Sequence, residues 1–583
     1  MSNVDDLRSE AALHEIRDRI RAFELDRRDF LRLCAGGLLV SLSGSAIAQE
    51  SGRSGLTRHE LPQDVAAWIH IGPEGAVTVF TGKVEIGQNI RTSLAQSVAE
   101  ELRVPFGSIS MLMGDTALTP WDMGTFGSRS TPTMGPQLRN MAVVARQMLV
   151  EAAAQRWNVD PAGLTADAGK VTNPKTGNSL GYGEITRGEK LTRAVSGDPP
   201  LTPATEWKVA GTPVSKVNGR EFVTGKHHFP SDIARPGMLF GKVVRPSGFR
   251  ATLTSADTSA AEKIPGVQVV RDGDFIGVVA PDVWTAEQAL TKIRAQWNVP
   301  PQISNRDLFA YLRHNATAAP QHSHVEEVIG SAEVQLNQEY TVAYIAHTPL
   351  EPRAAVAEWS TEAGRPKLTV WTGTQRPFGV RDELVKAFRL SEDQVRVIMP
   401  DMGSGYGGKH TGECAIEAAR LAKAAGKPVK LIWTREEEFT WAYFRPAGII
   451  SIRAGAKRDG TLIGWEHHNY NSGPSAIDTP YAVSEKQVQY HEVDSPPLVQ
   501  GSYRGLAATA NHFAREVAMD EMAHQLRMDP LQFRLKNLTD DRLRAVFTLA
   551  AEKFGWGKIP STPQRGFGIA GGLEKGGHVA ACA

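Results

Sequence analysis

The feature of this sequence that most constrains its fold is a glycine-rich turn, GSGYGGKH, at residues 403–410. Apolar residues at 395–399 predict a buried strand before the turn, and an alanine-rich run at 411–425 predicts a helix after it. The turn satisfies the GxGxxG pattern through Gly403, Gly405 and Gly408. Backbone amides exposed in such a turn can hold an anionic group closely. The turn therefore indicates an α/β region with a ligand site, without identifying the ligand.

The length of the chain implies several domains. Its 583 residues exceed what one hydrophobic core supports, so we expect three or four domains. Hydrophobic residues make up 41% of the chain and charged residues 22%, which is typical of globular proteins. Because the formal net charge is only +1, the sequence shows no basic surface of the kind that binds nucleic acid, and we expect no nucleic-acid partner.

Secondary-structure patterns indicate an α+β or α/β multidomain protein. The segment 49–205 carries a strand, a turn at 87–89 and two helices, followed by a turn-rich stretch at 158–205. Short strands alternating with one helix predict a separate small domain at 211–300. The polar residues 301–330 are interpreted as a linker, and 331–583 returns to an α/β rhythm, with helices expected at 509–527 and 541–554.

The amino terminus has the pattern of a signal peptide over residues 1–48. DRRDFLR at 26–32 precedes a short apolar stretch that ends in small residues at Ala46-Ile47-Ala48. The pair Arg27–Arg28 is typical of the twin-arginine route, which predicts a periplasmic protein whose first 48 residues lie outside the mature fold. The apolar stretch is shorter than the ~20 residues that a membrane-spanning helix needs, so we do not expect an integral membrane protein. The alternative is that the arginine pair ends an amphipathic helix.

Cysteine usage restricts the redox chemistry. Cys34, Cys414 and Cys582 are too widely spaced for a zinc site or a cysteine-bound iron–sulfur cluster. A redox centre would therefore be an organic or metal–organic cofactor held by other contacts, or would lie on a partner chain. We predict no metal ligand among the side chains.

Two glutamine-bearing turns accompany the glycine turn. EIGQN lies at 85–89 and WTGTQRPFG at 371–379. A carboxamide donates and accepts hydrogen bonds at once, which suits the rim of a cofactor rich in oxo and amide groups. The simpler interpretation is that each amide caps its own loop. The pyrophosphate of NAD and the pyranopterin of a molybdenum cofactor both remain compatible with the glycine turn.

Longer segments resemble the molybdenum-binding subunit of the xanthine oxidase family, and most closely its isoquinoline 1-oxidoreductase branch. The matching segments are KVEIGQNIRTSLAQSVAEEL (83–102), GTFGSRST (124–131), YIAHTPLEPRAAVAEW (344–359), WTGTQRPFGVRDEL (371–384), GSGYGGKHTGE (403–413), QGSYRGLAATANHFAREVAMDEMA (500–523) and RGFGIAGG (565–572). Residues 211–300 resemble the α/β hammerhead domain of the family. EIGQN precedes that domain, which is the permuted order of the isoquinoline-type branch. The implied fold is a hammerhead domain plus molybdopterin-binding domains of the xanthine oxidase and aldehyde oxidase type.

The resemblance implies roles for particular residues. Arg504 matches the catalytic arginine that steadies bound substrate, a task that suits a fixed guanidinium in a dry pocket. Gln88 and Gln375 match glutamines that bind the cofactor, and Tyr406 and Gly407 are expected beside the metal. The other cofactor-binding positions implied are Gly87, Gly124, Thr125, Gly127, Ser128, Arg129, Ser130, Gly405 and Gly408.

The implied activity is hydroxylation of an N-heterocycle or aldehyde with oxygen taken from water. The resemblance implies a molybdenum–molybdopterin cofactor in its cytosine dinucleotide form, a small [2Fe–2S] subunit that accepts the electrons, and a cytochrome c as a further acceptor. The substrate is a small molecule that the sequence does not identify.

Two departures from the family pattern matter. His410 stands where xanthine dehydrogenases have a glutamate, which argues against a purine substrate recognised by that carboxylate. The family's catalytic glutamate motif has no match before Ala583, and Glu574 does not occupy its place. We therefore expect the chain to be incomplete at its carboxyl end and inactive by itself. The alternatives are a noncatalytic cofactor-binding remnant and an exported NAD(P)-dependent dehydrogenase.

Overall fold

The computed structural model describes residues 37–42, 67–187, 190–195, 199–317, 324–560 and 562–583. Three large apolar clusters form the core of these ranges: one lies in the first unit described below, one is shared by the second and third units, and one lies in the third unit. Within the same ranges no helix is both long enough and apolar enough to cross a membrane.

The first unit contains a five-stranded sheet, a small three-stranded sheet, two long helices and one short helix. Its strands are β1 (Gly37–Leu42), β2 (Ala67–Ile71), β3 (Val77–Thr81), β4 (Ile109–Met113), β5 (Thr165–Asp167), β6 (Lys170–Thr172), β7 (Ser179–Gly181) and β8 (Lys190–Val195), and its helices are α1 (Ile90–Leu102), α2 (Gly135–Trp157) and α3 (Tyr182–Thr186). The sheet order is β4-β3-β2-β1-β8, and β5–β7 form a separate three-stranded sheet. The predicted strand and both predicted helices are confirmed, and the stretch predicted as turn-rich also contains β5–β7 and α3.

Strand β1 lies inside the predicted signal peptide. Its backbone pairs antiparallel with β2 and parallel with β8, so it is an internal strand of the sheet. In the chain as described, residues 37–42 therefore belong to the first sheet, whereas the expectation that residues 1–48 lie outside the mature fold stays a prediction. The twin-arginine pair falls outside the described residues, and the signal peptide stays a prediction.

The second unit, residues 211–300, shares a sheet with the third. Its strands are β9 (Leu239–Val243), β10 (Thr252–Asp257), β11 (Gln268–Asp272), β12 (Phe275–Ala280) and β13 (Arg294–Asn298), and its helices are α4 (Gly219–Val223), α5 (Ser259–Glu262) and α6 (Val283–Leu290). The prediction of a separate small domain is wrong in one respect, because β9 pairs in parallel with a strand at 429–432. Val243 and Val279 also pack in one apolar cluster with residues of the third unit.

The third unit begins with two helices in the segment predicted as a linker. These are α7 (Leu308–His314) and α8 (His324–Gly330), whose buried faces include Leu308 and Ile329. The linker prediction is therefore wrong. Apolar residues spaced four apart, Leu308 with Leu312 and Val325 with Ile329, anchor both helices although polar residues surround them.

The rest of the third unit is α/β, as predicted. Its strands are β14 (Val334–Val342), β15 (Ala354–Glu362), β16 (Arg365–Thr372), β17 (Val395–Ile398), β18 (Val429–Ile432), β19 (Gly448–Ala456), β20 (Leu462–Tyr470), β21 (Glu485–His491), β22 (Ile569–Glu574) and β23 (Gly577–Cys582), and its helices are α9 (Pro377–Phe388), α10 (Glu413–Ala425), α11 (Arg435–Thr440), α12 (Ala508–Gln525), α13 (Pro530–Asn537) and α14 (Asp541–Phe554). One sheet has the order β11-β12-β9-β18-β15-β16-β17 and another the order β14-β19-β20-β21. Helix ends follow local rules: Asp540 caps α14 by accepting a hydrogen bond from the Leu543 amide, and Gly555 ends it with φ 80°.

Candidate functional site

Three of the predicted motif loops meet at the buried side chain of Gln375. Its Nε2 donates to the carbonyl oxygen of Thr125 over 2.9 Å, and its Oε1 accepts from the amide of Gly407 over 2.9 Å. Its backbone bonds the same loops, because the Thr125 amide donates to Gln375 O and the Gln375 amide donates to Lys409 O, both over 2.8 Å. One carboxamide therefore joins the 124–131 loop to the glycine turn.

The glycine spacing of the 403–410 turn is explained by its own framework. An added Cβ would lie 2.7 Å from Glu351 Cβ at Gly403, 2.7 Å from Gln375 Oε1 at Gly405 and 2.5 Å from the His347 ring at Gly408. Helix α10 begins only at Glu413. The turn is thus not the tight strand-to-helix connection of a dinucleotide fold, in which the amides at the start of the helix face the pyrophosphate.

Two stretches of backbone carry amides that could bind a cofactor. Within the described ranges, the amides of Gly405 and Tyr406 donate to no other group of the protein, and neither do those of Phe126, Gly127 and Ser128. Tyr406 has φ 56° and Ser128 has φ 56°, a left-handed conformation that turns successive amides toward one side. These amides are donors that fit the carbonyl and phosphate oxygens of a pterin cofactor.

The backbone of the glycine turn is fixed by hydrogen bonds from the third unit. The Arg504 amide donates to Tyr406 O over 2.7 Å. The Tyr443 hydroxyl donates to Gly407 O and accepts from the His410 amide. A guanidinium N–H of Arg353 donates to Gly408 O. Sequence reasoning missed Tyr443 and Arg353 as loop-positioning residues, although Arg353 lies within a matched segment.

The predicted role of Gln88 as a cofactor ligand stays a prediction, and in this structure its side chain bonds its own turn. Its Oε1 accepts from the Ile86 amide over 2.6 Å and its Nε2 donates to Val84 O over 3.0 Å, so the exposed side chain closes its own turn. The turn is held instead by the buried Glu85, whose carboxylate accepts from the amides of Gly87, Asn89 and Arg91. The simpler interpretation of a glutamine that caps its own loop describes Gln88 better.

The EIGQN turn nevertheless borders the glycine turn. The Met402 amide donates to Glu85 O over 3.2 Å, and the Val84 amide donates to the Thr125 hydroxyl over 2.9 Å. An added Cβ at Gly87 would meet no atom within 4 Å, so open space adjoins that residue.

The structure places the other predicted site residues at different depths. Gly124, Thr125, Gln375, Gly405 and Gly408 are buried; Gly127, Ser130, Tyr406 and Gly407 are half-buried; Gly87, Gln88, Ser128, Arg129 and Arg504 are exposed. The exposed side chain of Arg504 corrects the expectation that its guanidinium lies in a dry pocket. Its backbone, by contrast, touches the glycine turn directly.

Two buried ion pairs beside these loops were missed by sequence reasoning. Lys83 Nζ lies 2.9 Å from Asp122 Oδ1 and donates to Gly124 O over 2.9 Å. Arg91 Nη2 lies 2.5 Å from Asp401 Oδ1. A charged residue within a matched segment, such as Lys83 in KVEIGQN, was the available signal, but its partner could not be identified without the fold.

Burial lowers the pKa of two basic groups near the glycine turn. Burial, and secondarily the positive charge of Arg376, lowers the pKa of His410 to about 4, so the imidazole is neutral at pH 7. Burial also lowers the pKa of Lys409, whose Nζ donates to Glu351 O over 2.7 Å. Among the described residues, no group of three or more His, Cys, Asp or Glu side chains could hold a metal ion.

Comparison with known proteins gives matches over most of the chain. Models of the molybdopterin cofactor-binding domain match residues 7–229 and residues 310–538. The first match spans β1 as well as the EIGQN turn. The second spans Gln375, the glycine turn and Arg504.

Curated relatives match at low identity. A subunit of nicotinate dehydrogenase from Pseudomonas putida is 28% identical, over 91% of this chain and 48% of that protein. The beta subunit of isoquinoline 1-oxidoreductase from Brevundimonas diminuta is 24% identical, over 94% of this chain and 79% of that protein. The chain thus spans about half the length of the first relative.

Solved structures support the fold. Quinoline 2-oxidoreductase from Pseudomonas putida 86 superposes with a TM-score of 0.55 at 21% identity, over 62% of this chain and 57% of that chain. CO dehydrogenase from Oligotropha carboxidovorans superposes with a TM-score of 0.52 at 20% identity, over 62% of this chain and 58% of that chain. Both similarities concern the architecture.

Proposed function

The chain belongs to the xanthine oxidase family of molybdopterin-binding proteins, and on that premise we propose that it is the large subunit of a molybdenum hydroxylase. The proposed substrate is an N-heterocycle or an aldehyde, hydroxylated with oxygen from water. The observation that carries the proposal is that Gln375 joins the 124–131 loop to the glycine turn, and that the EIGQN turn borders both of these loops. In the described part of the chain the two loops joined by Gln375 carry free amides.

The cofactor would be held mainly by backbone. The amides of Gly405, Tyr406, Gly127 and Ser128 are the groups available to bind a molybdopterin, and we propose its cytosine dinucleotide form. When bound, this group supplies the two-electron redox chemistry and the site at which water-derived oxygen is transferred. The lack of a cysteine or histidine ligand set in the described residues is compatible with a cofactor that carries its own metal ligands.

The protein's own residues orient the cofactor and control charge. Gln375 fixes the relative positions of two cofactor loops, so it preorganises the binding site. The neutral His410 adds no positive charge beside them. Arg504 follows directly on Tyr503, whose Cα borders Gly407, and we propose that the exposed guanidinium of Arg504 binds substrate.

Electrons would leave through a separate small [2Fe–2S] subunit, with a cytochrome c as a later acceptor, and the assembly would be periplasmic after twin-arginine export. The support for the partner is that both curated relatives are themselves subunits of larger enzymes, together with the wide cysteine spacing of this chain. The support for export is the DRRDFLR segment.

The test is co-expression of the chain with a small iron–sulfur subunit, followed by metal analysis and oxidation assays on N-heterocycles and aldehydes. We expect molybdenum, pterin and iron in the purified complex. Gln375→Glu should lower molybdenum occupancy, because a carboxylate cannot donate to Thr125 O, whereas Gln335→Glu on the exposed face of β14 should not. A complex without molybdenum would refute the proposal, and cofactor without turnover even when the family's catalytic glutamate motif is supplied would indicate a noncatalytic binding protein.

A further inference from the structure

Glu351 is bonded to both ends of the glycine turn. Its Oε2 accepts from the Gly403 amide over 2.8 Å, and its own amide donates to Gly403 O over 3.1 Å. Its carbonyl oxygen accepts from Lys409 Nζ over 2.7 Å. Gly403 opens the turn and Lys409 is its last residue but one, so one residue outside the turn fixes where the turn begins and where it ends.

The third unit's sheet explains why one residue reaches both points. Glu351 comes shortly before β15 and the glycine turn shortly after β17, and β16 lies between these two strands in the sheet. Because β15 and β16 are antiparallel and β16 and β17 are parallel, the start of β15 and the end of β17 lie at the same edge. The strands themselves do not bond to each other, so Glu351 makes the connection.

The carboxylate of Glu351 is also anchored to the second unit. Its Oε1 accepts from the Ser231 amide and from the Ser231 hydroxyl, each over 3.1 Å. Only 9% of the Glu351 side chain is exposed, so these hydrogen bonds and the one from Gly403 replace the water that burial removes. A carboxylate held by three donors on two sides has little freedom to move, which makes it a fixed support for the turn.

The ammonium of Lys409 completes this connection through its charge. Its side chain is only 1% exposed, and Nζ lies 3.7 Å from Glu351 Oε2. Burial lowers the pKa of Lys409, and the Glu351 carboxylate is the largest influence that raises it. Removing one partner of a buried pair leaves the other charge uncompensated. Loss of the Glu351 carboxylate would therefore disturb the Lys409 end of the turn as well as the Gly403 end.

The ends of the turn are thus held by the protein, and its middle is open. The amides of Ser404 and Gly408 donate locally, to Met402 O over 2.9 Å and to Gly405 O over 2.7 Å. The amides of Gly405 and Tyr406 donate to no other group in the described ranges. A turn that is already ordered when its ligand arrives avoids the free-energy cost of ordering it on binding.

We propose that Glu351 and Lys409 are positioning residues that hold the glycine turn in the shape that binds the cofactor. In that shape the amides of Gly405 and Tyr406 donate to oxygen atoms of molybdopterin. This inference rests on the proposed function. Neither side chain needs to touch the cofactor, because both act through the backbone of the turn. Gln375 fixes the turn against a neighbouring loop, whereas this pair fixes the ends of the turn itself.

The experiment measures how fast molybdenum and pterin leave the purified complex with the small iron–sulfur subunit, well below its unfolding temperature. Glu351→Gln has one acceptor oxygen instead of two. Because Ser231 offers two donors and Gly403 one, we expect that oxygen to face Ser231 and the Gly403 bond to be lost. Cofactor release should become about tenfold faster, a ratio that corresponds to about 1.4 kcal/mol.

A second variant tests the other end of the turn. Lys409→Met removes the donor to Glu351 O at similar side-chain length, and it should also speed cofactor release. The double variant should release the cofactor no faster than the more affected single variant, because both side chains act on the same turn. If Glu351→Gln does not fold, Lys409→Met is compared with wild type in its place.

Glu358→Gln is the matched control. Glu358 also joins the third unit to the second, but its partner is Arg235 at 2.8 Å rather than the glycine turn. We expect its cofactor release to equal that of wild type. Hydrogen exchange of residues 403–409, followed by mass spectrometry on the same samples, is the second readout. Exchange there should be faster in Glu351→Gln and unchanged in Glu358→Gln.

The outcomes separate this inference from the proposed function. Wild-type rates of release and of exchange at 403–409 in Glu351→Gln would overturn the inference and leave the proposed function intact. Equally fast release from Glu351→Gln and Glu358→Gln would overturn it too, because a weakened junction between units would then be the cause. A wild-type complex without molybdenum would refute the proposed function, and exchange at 403–409 would still decide whether Glu351 holds the turn: faster exchange in Glu351→Gln supports it and equal exchange contradicts it.

Discussion

Arg91 and Asp401 form a buried ion pair, with 2.5 Å between Nη2 and Oδ1, although 310 residues separate them in sequence. Arg91 lies in the second position of α1, just after the EIGQN turn, and Asp401 comes two residues before the glycine turn. The pair therefore joins the first unit to the third at the candidate site. His227 reaches the same carboxylate, with its Nε2 3.6 Å from Asp401 Oδ2.

Asp401→Asn should destabilise the protein strongly. Removing one partner of a buried pair leaves an uncompensated charge, at a cost of about 3–5 kcal/mol. The free energy of unfolding, measured by urea titration, checks this expectation. The matched control is Asp393→Asn at the exposed pair with Arg365, where about 0–1 kcal/mol is expected. Equal losses of unfolding free energy in the two variants would show that the buried pair stabilises the protein no more than the exposed pair does.

Gly405→Ala should lower cofactor occupancy by displacing Gln375. The added methyl group would lie 2.7 Å from Gln375 Oε1, which accepts from the Gly407 amide, so that hydrogen bond must lengthen or break. Molybdenum content per chain is the measurement. Gly107→Ala is the control, because an added Cβ there meets no atom within 4 Å. Full occupancy in Gly405→Ala would mean that the Gln375 junction is not needed for binding.

Sequence reasoning identified the site loops but not how each side chain is used. Helix α14 was predicted at 541–554 and is confirmed at Asp541–Phe554, because its periodicity and Asp cap are local. Gln88 and Gln375 looked equivalent as amides beside turns. Gln88 bonds its own turn, whereas Gln375 bonds two distant loops. This difference depends on which loops the fold brings together, and a local pattern carries no such information.

Local patterns do not show which distant segments pack together, and this also explains why the predictions for residues 211–300 and 301–330 were partly wrong. The strands of residues 211–300 were recognised, but in the parallel pairing of β9 with β18 the paired residues lie 190 positions apart, as Leu239 and Val429 do (429 − 239 = 190). The helices α7 and α8 were missed because short apolar spacings within a polar stretch are a weak local signal. Their stability comes from burial against the sheet that follows them.

Acid should weaken the protein partly through His410. Its pKa in the folded state is about 4, below the ordinary 6.5, so the unfolded chain binds the proton more tightly. The stability associated with the neutral imidazole is therefore present above pH 6.5 and is lost as the pH falls toward 4. His410→Gln should flatten the decline in melting temperature across this window. The exposed His314→Gln is the control, and identical pH profiles for wild type and His410→Gln would contradict the assignment.

The last prediction concerns strand β1, because residues 37–42 belong both to the predicted signal peptide and to the sheet of the first unit. In the sheet, Leu39 lies opposite His70 on β2 and opposite Thr192 on β8. Because both sides of β1 are paired, the backbone amide of Leu39 points toward one of these two strands. Leu39→Pro removes that donor from an internal strand and should lower the urea midpoint of the full-length chain, whereas Leu39→Ile keeps the amide and should not. If β1 is required, the amino-terminal sequence of the purified, cofactor-bearing protein should begin before Gly37. A stable protein that begins at Gln49 would instead mean that the sheet forms without β1 and that the apolar segment serves export alone.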